Sequence, residues 1–236
     1  MRKTKAVVLH KNGDADQMVW EEVSLPDPDH GQVLLKHEFV GFNMIDVYHR
    51  SGIYPTPSKP CFLGTEASGV IEQVGPGVEN LNIGDRVAYA GSGSGLGSYS
   101  YSRLMNADDL IIVPDWMRSE VAAAILTKGR TVEYLFNRTY KLQKGDRILF
   151  NAAAGGVGQI AGQWAASIGA IAIGVVGNKE KEKFAQNSGY KHVFNMQDHD
   201  IVKEVMTITE GTGVDVVYDS IGKTTWDISL SVVRKL

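Results

Sequence analysis

From Asp146 onward, short apolar runs alternate with helical stretches, and the first junction between them carries Ala153-Ala154-Gly155-Gly156-Val157-Gly158. No other feature limits the fold of this chain as strongly. Residues 147–151, 171–176, 192–195 and 214–219 read as strands. Residues 158–168, 179–187, 201–209 and 224–235 read as helices, and Gly169 and Gly189 close the first two. Four strands, each followed by a helix, predict a parallel doubly wound sheet, because parallel neighbours need a crossover between them. A complete dinucleotide-binding sheet of this kind has six strands. Only four are legible before the sequence stops within or just after a helix, so an incomplete polypeptide is expected.

The glycine loop follows a strand and opens a helix, the context in which Ala-x-Gly-x-x-Gly has a chemical meaning. Gly155 lets the backbone approach a diphosphate, and Gly158 lets helix and strand pack closely. The helix N-terminus adds amide donors and a partial positive charge. Ala154, Gly155, Gly156, Val157 and Gly158 are therefore candidate cofactor-binding residues, the alternative being a glycine-rich turn that holds no ligand. An NAD-selective domain carries Asp or Glu about 20 residues further on, at the end of the second strand. Here that strand ends Val176-Gly177-Asn178-Lys179, without a carboxylate. Gly177, Asn178 and Lys181 could receive a 2′-phosphate, which favours NADP(H). The alternative is a solvated face on which Lys179, Lys181 and Lys183 alternate with Glu180 and Glu182.

The first half is of a different kind. Residues 5–9, 19–23, 32–39, 67–74, 86–90 and 110–113 read as short strands between turn signals, and 91–101 reads as a Gly/Ser loop. Many short strands with frequent turns predict a compact, barrel-like β unit. The pattern changes after Pro114, where Ser119-Glu120 precedes a helix beginning at 121–126. We place the first domain at 1–122 and the second at 123–236. Of the 236 residues, 24 are Lys or Arg and 27 are Asp or Glu, a balance that gives a nucleic-acid partner no support. Cys61 is the single cysteine, which excludes an internal disulfide and a four-cysteine zinc site. No apolar run approaches the ~18 residues that a membrane helix needs. No membrane partner is expected, and a cytoplasmic home is.

Several segments together resemble one family. Asn151 to Gly158, with the preceding Gly145-Asp146 and the later Gln163, is similar to the signature of the quinone oxidoreductases, the zinc-free, ζ-crystallin-like branch of the medium-chain dehydrogenase/reductase superfamily. The stretch Asn43-Met44-Ile45-Asp46-Val47-Tyr48-His49-Arg50-Ser51-Gly52-Ile53-Tyr54-Pro55 resembles the family's Asn-x-x-Asp-x-x-x-Arg-x-Gly-x-Tyr-Pro pattern. Gly64-Thr65-Glu66 resembles the superfamily's Gly-His-Glu with threonine replacing histidine. Lys128-Gly129-x-Thr131-Val132-x-Tyr134-Leu135 and Val217-Tyr218-Asp219-Ser220-x-Gly222 also fit, so the likeness extends over the whole chain.

The resemblance implies a GroES-like β-barrel catalytic domain followed by a Rossmann domain. It implies hydride transfer from NADPH to a quinone or a related conjugated carbonyl, and a homodimer when full length. Rival readings are a reductase of α,β-unsaturated ketones or enoyl thioesters, and a non-catalytic, crystallin-like nucleotide binder. Asn43 is the first choice for a polar group beside nicotinamide or substrate, and Tyr48 for a hydrogen-bond or proton donor. Thr131, Tyr134 and Ser220 resemble positions that line the cofactor cleft. Asn43 and Thr65 stand where metal-dependent relatives carry the Cys and His zinc ligands. An amide and a hydroxyl are poor zinc ligands beside thiolate and imidazole, so no metal site is expected. Asp46 and Arg50, at helical i, i+4 spacing, predict an ion pair.

Overall fold

The computed structural model describes residues 1–56, 58–91 and 93–235. Contacts divide the chain into two compact units, Met1–Thr127 and Lys128–Leu236.

In the first unit, alternating apolar and polar side chains produce antiparallel strands whose inner faces meet. One sheet contains β1 (Arg2–Leu9) between β2 (Met18–Leu25) and β4 (Cys61–Phe62). A five-stranded sheet runs in the order β7 (Ser102–Asn106), β3 (Gln32–Gly41), β5 (Glu66–Val74), β6 (Arg86–Ala90), β8 (Ile111–Ile112). Val33, Leu35, Ala67, Ile71, Val87, Tyr89 and Met105 form its core, all nearly inaccessible to solvent. The β3–β5 ladder shifts register between Leu34 and Leu35 and again between His37 and Phe39. There Gly69 lies so close to β3 that a Cβ would fall 2.0 Å from the Lys36 carbonyl oxygen. Glycine is therefore required at this irregular crossing. Helix α1 (Met44–Ser51) leaves the end of β3, and α2 (Ser119–Tyr134) spans the boundary between the units.

Two expectations are corrected here. Strand β7 was not visible in the sequence, because Ser102 and Arg103 are polar yet buried. Arg103 donates to the Ser94 and Gly95 carbonyls and packs its guanidinium over the Tyr89 ring, so this strand hides charge inside. Asp46 and Arg50 do not pair with each other. Asp46 accepts inward bonds from Asn43, Thr65 and Tyr99, whereas Arg50 donates to the Gly13 carbonyl. Helical spacing makes a pair available, but the buried donors around Asp46 satisfy it better.

His37 belongs to the same buried polar layer. One ring nitrogen bonds the Ser100 carbonyl at 2.7 Å and the other the Tyr89 hydroxyl at 2.9 Å. Desolvation, together with the nearby Arg103 charge, lowers its pKa to about 4 despite the bond to Ser100. In the unfolded chain it titrates near 6.5. The unfolded state thus binds more protons between these values, and stability is lost as pH falls from 6.5 toward 4, by up to about 3 kcal/mol. The wild-type melting temperature should drop across this window more steeply than that of His37→Gln. Parallel profiles would refute the assignment.

The second unit is a parallel sheet in the order β11 (His192–Asn195), β10 (Ile171–Val176), β9 (Arg147–Asn151), β12 (Val216–Tyr218). Strand residues alternate between two apolar layers. Ile148, Phe150 and Ala172 face a cluster with Val132, Phe136, Ala161, Ala165 and Tyr190, which brings α2 and α3 (Gly156–Ile168) onto one side. Leu149, Ile173 and Val175 face Ile201, Val205 and Val232 on α5 (Ile201–Ile208) and α6 (Trp226–Val232). The short helix α4 (Glu182–Gln186) completes the crossover from β10 to β11. The chain adds β10 and β11 on one side of β9, then returns to place β12 on the other. That reversal creates the crevice at the carboxyl ends of β9 and β12 where ligands bind in open α/β sheets.

Candidate active site

The loop after β9 begins with Ala152 in the left-handed region, φ 56°, an uncommon conformation for a residue with a side chain. It bends the chain so that Gly155 can cap α3. The Gly155 N–H closes on the Ala152 carbonyl at 2.8 Å, and Gln159 folds back from the helix to the Ala154 carbonyl at 2.9 Å. Among the described residues, no side chain caps the helix. The amides of Gly156, Val157 and Gly158 occupy its first turn, where no intrahelical acceptor exists. A Cβ on Gly158 would stand 2.5 Å from the Ala153 carbonyl oxygen and 2.6 Å from that of Ala152. Helix and loop therefore meet backbone to backbone, and the helix dipole is directed at the turn.

Residues that the motif does not announce hold this loop. Tyr190 lies across Gly174 of β10 and donates its hydroxyl to the Gly158 carbonyl at 2.7 Å. Burial pushes this phenol well above its ordinary pKa. The aliphatic stem of Lys128 passes 2.8 Å from where a Gly156 Cβ would lie. Thr131, three residues further along α2, shares that helix face. Thr131 is half-buried, while Tyr134 is exposed. At the crevice, Asp219 accepts from the Ile221 and Gly222 amides and from Thr225 and Ser229. These bonds outweigh partial burial and hold its carboxyl below the usual range. Ser220 is exposed on the turn that Asp219 organises.

At the end of β10, Gly177 has open space where a side chain would stand. The Asn178 side chain accepts the Lys181 amide at 3.2 Å, turning the chain so that Lys181 is solvent-exposed. The sites expected from sequence in this unit, Ala154 to Gly158, Gly177, Asn178 and Ser220, thus all lie along one carboxyl edge of the parallel sheet. Amide donors at one point and a carboxylate-free strand end at another suit a dinucleotide diphosphate with a further phosphate on its ribose. Met196, just beyond β11, packs against the α5–α6 layer.

In the first unit, Asn43 ends the strand-to-helix link as the N-cap of α1. Its backbone N–H donates to Asp46 Oδ2 at 2.9 Å, and its side-chain nitrogen to Glu66 Oε2 at 2.7 Å. Thr65 Oγ1 donates to Asp46 Oδ1 at 3.3 Å, and the Tyr99 hydroxyl to Asp46 Oδ2 at 2.8 Å. Burial raises the Asp46 carboxyl above its ordinary pKa, against the lowering effect of these bonds. Tyr48 is half-buried and stacks at a tilt on Tyr54, ring centres 5.2 Å apart. Asn43 faces inward to Glu66, and no hydrogen bond joins it to Tyr48. Zinc would have to be held by the Asn43 amide and the Thr65 hydroxyl, both already donating to carboxylates. This donor set does not fit the metal. Among the described residues, no three His, Cys, Asp or Glu side chains come together as a metal site. Glu66, Tyr190 and Lys128 were not anticipated as site residues. Only Thr65-Glu66, within the motif, offered a signal for the first of them.

Fold and site define a protein of two units, an antiparallel β unit and a parallel α/β unit whose glycine loop is built to bind a dinucleotide. Residues 29–115 match the family model of the alcohol dehydrogenase GroES-like domain, and residues 156–236 that of zinc-binding dehydrogenases. The chain is 44% identical over 229 residues to the quinone oxidoreductase of Salmonella typhimurium, covering 97% of this chain and 69% of that relative. It is 44% identical over 235 residues to the 2-haloacrylate reductase of a Burkholderia species, covering 97% and 70%. The crystal structure of Escherichia coli quinone oxidoreductase complexed with NADPH superposes with a TM-score of 0.93 at 42% identity, over 98% of this chain and 70% of that one. The chain belongs to the quinone oxidoreductase family, within the medium-chain dehydrogenase/reductase superfamily.

Proposed function

We propose that this protein reduces a quinone with NADPH and uses no metal to do so. The observation that carries the reading is the pairing of a diphosphate cradle at Gly155–Gly158 with a β10 end that presents Gly177, Asn178 and Lys181 and no carboxylate. When bound, NADPH supplies the hydride. The first-turn amides of α3 hold the diphosphate, and Lys181 neutralises the 2′-phosphate. Thr131, Tyr134 and Ser220 line the path of the cofactor. Asn43 hydrogen-bonds nicotinamide or substrate and fixes the distance over which hydride passes. A quinone that accepts hydride becomes an anion, and the Tyr48 hydroxyl or water returns the proton that completes the hydroquinone. The family resemblance supports a cytoplasmic homodimer, which light scattering tests for its oligomeric part.

Likeness to a 2-haloacrylate reductase supports a second reading, in which the acceptor is an α,β-unsaturated carbonyl. A panel of quinones and enones assayed with NADPH separates the two. The cofactor assignment is tested by fluorescence titration with NADPH and with NADH. We expect NADPH to bind at least ~10-fold more tightly, about 1.4 kcal/mol, and Lys181→Ala to erase most of that margin. Equal affinities in the wild-type chain would defeat the 2′-phosphate argument.

A further inference from the structure

We propose that the first unit carries a ligand site of its own, in which Arg103 receives the carboxylate of a small molecule with an apolar body. Of the described lysines and arginines, Arg103 alone is buried, with 8% of its surface exposed. Arg2, Arg118, Arg138 and Arg234 each meet a carboxylate. Among the described residues Arg103 meets none, and Asp109, which the Ser94 hydroxyl engages, stays beyond ion-pair distance. A buried cation without a counter-charge is costly, and such charges are normally paired.

Its donors are only partly used. A guanidinium has five N–H groups. Nη2 donates to the Ser94 and Gly95 carbonyls at 2.6 and 3.2 Å, and Nη1 reaches the Tyr89 hydroxyl at 3.5 Å. Nε and the second hydrogen of Nη1 have no partner among the described residues. Arg103 borders a pocket of about 240 Å³ walled by Val23, Leu25, Phe62, Leu96 and Leu104. Gly97, on the same pocket, has no Cβ. One would stand 3.4 Å from Arg103 Cζ and 3.6 Å from Nε, in the space that the head of a ligand would use.

Of the residues lining this pocket only Arg103 is charged, so its complement is an anion with an apolar body. A carboxylate accepts two N–H bonds from a guanidinium and cancels its charge. Drug-sized ligands occupy about 300–1,000 Å³. The occupant is therefore smaller, an aliphatic or aromatic monocarboxylate.

Hexanoate is the probe, with hexanol as its uncharged match. Calorimetry on the full chain should show saturable binding of one hexanoate per chain. Hexanol should bind ~10-fold more weakly, and Arg103→Gln should weaken hexanoate binding ~10-fold, the worth of a hydrogen bond to a charged group. Because Arg103→Gln also gives up the Ser94 and Gly95 bonds, Leu96→Trp is the second variant. It fills the pocket from the loop, leaves the bonds of Arg103 in place, and should abolish binding at an unchanged melting temperature. Nitrogen-edited NMR locates the ligand. The Arg103 Nε–H signal should move with hexanoate in the wild type and stay in place in Leu96→Trp. Absence of saturable binding, equal binding of hexanol, or binding that survives either variant would overturn the proposal. None of these readouts needs NADPH or turnover, so their outcome is independent of the quinone reading.

Discussion

Gly158→Ala is expected to weaken NADPH binding about 100-fold or more, which corresponds to about 2.7 kcal/mol. The added methyl would lie 2.5–2.6 Å from two carbonyl oxygens and 2.7 Å from the Ala153 carbonyl carbon. All three atoms belong to the backbone of the phosphate loop, and none can swing aside as a flexible side chain would. Overpacking of this kind costs roughly 1–3 kcal/mol. The strain falls on the segment that must present amides to the diphosphate. Displacing Gly158 also disturbs its carbonyl, which receives the Tyr190 hydroxyl. Gly156→Ala makes a sharp comparison. Its methyl would press on the Lys128 stem, which can move, so a smaller loss is expected. Gly177→Ala meets nothing within 4 Å and should leave the melting temperature unchanged. Titration and thermal melts of the three variants check the ranking. If Gly158→Ala binds NADPH as the wild type does, the close approach does not govern the site.

The second large effect is on stability. Asp46→Ala should destabilise the first unit by about 3 kcal/mol, because it strands the buried Asn43 N–H, Thr65 hydroxyl and Tyr99 hydroxyl together. For a protein of this size that is a fall in melting temperature of roughly 6–12 °C. Tyr99→Phe removes one of the three donors and should cost about 1 kcal/mol. Asp46→Asn should lie between them, since it keeps a single acceptor and brings a donor toward donors. An Asp46→Ala chain that melts with the wild type would show that water satisfies the orphaned groups. Arg50→Ala serves as the control for the ion pair that helical spacing suggested. Among the described residues its side chain bonds only the Gly13 carbonyl, so a much smaller loss is expected.

The parts of the molecule visible in advance are those whose signal is local. The spans of β6, β9, β10 and β11 coincide with the runs read from the sequence, because each is an apolar stretch bounded by turn residues. Strand β7 was hidden, since its inward face carries Arg103 and Ser102, whose burial depends on carbonyls and an aromatic ring brought in from elsewhere. Asp46 illustrates the same limit. Four residues along a helix, Arg50 was the neighbour that spacing could name, while Thr65 and Tyr99 lie 19 and 53 positions away.

By itself the amino-acid sequence determined the alternation that yields a parallel sheet, the glycine turn at the start of α3, and the missing carboxylate after β10. Each is a property of neighbouring residues, set by periodicity, by the absence of a Cβ, or by a side chain that is simply not there. The tertiary structure alone decided that Tyr190 clasps the Gly158 carbonyl, that β12 returns to the far side of β9, and that Glu66 takes the nitrogen end of Asn43. A hydrogen bond between distant residues exists only once packing has removed water from both partners, and no pattern along the chain encodes that removal.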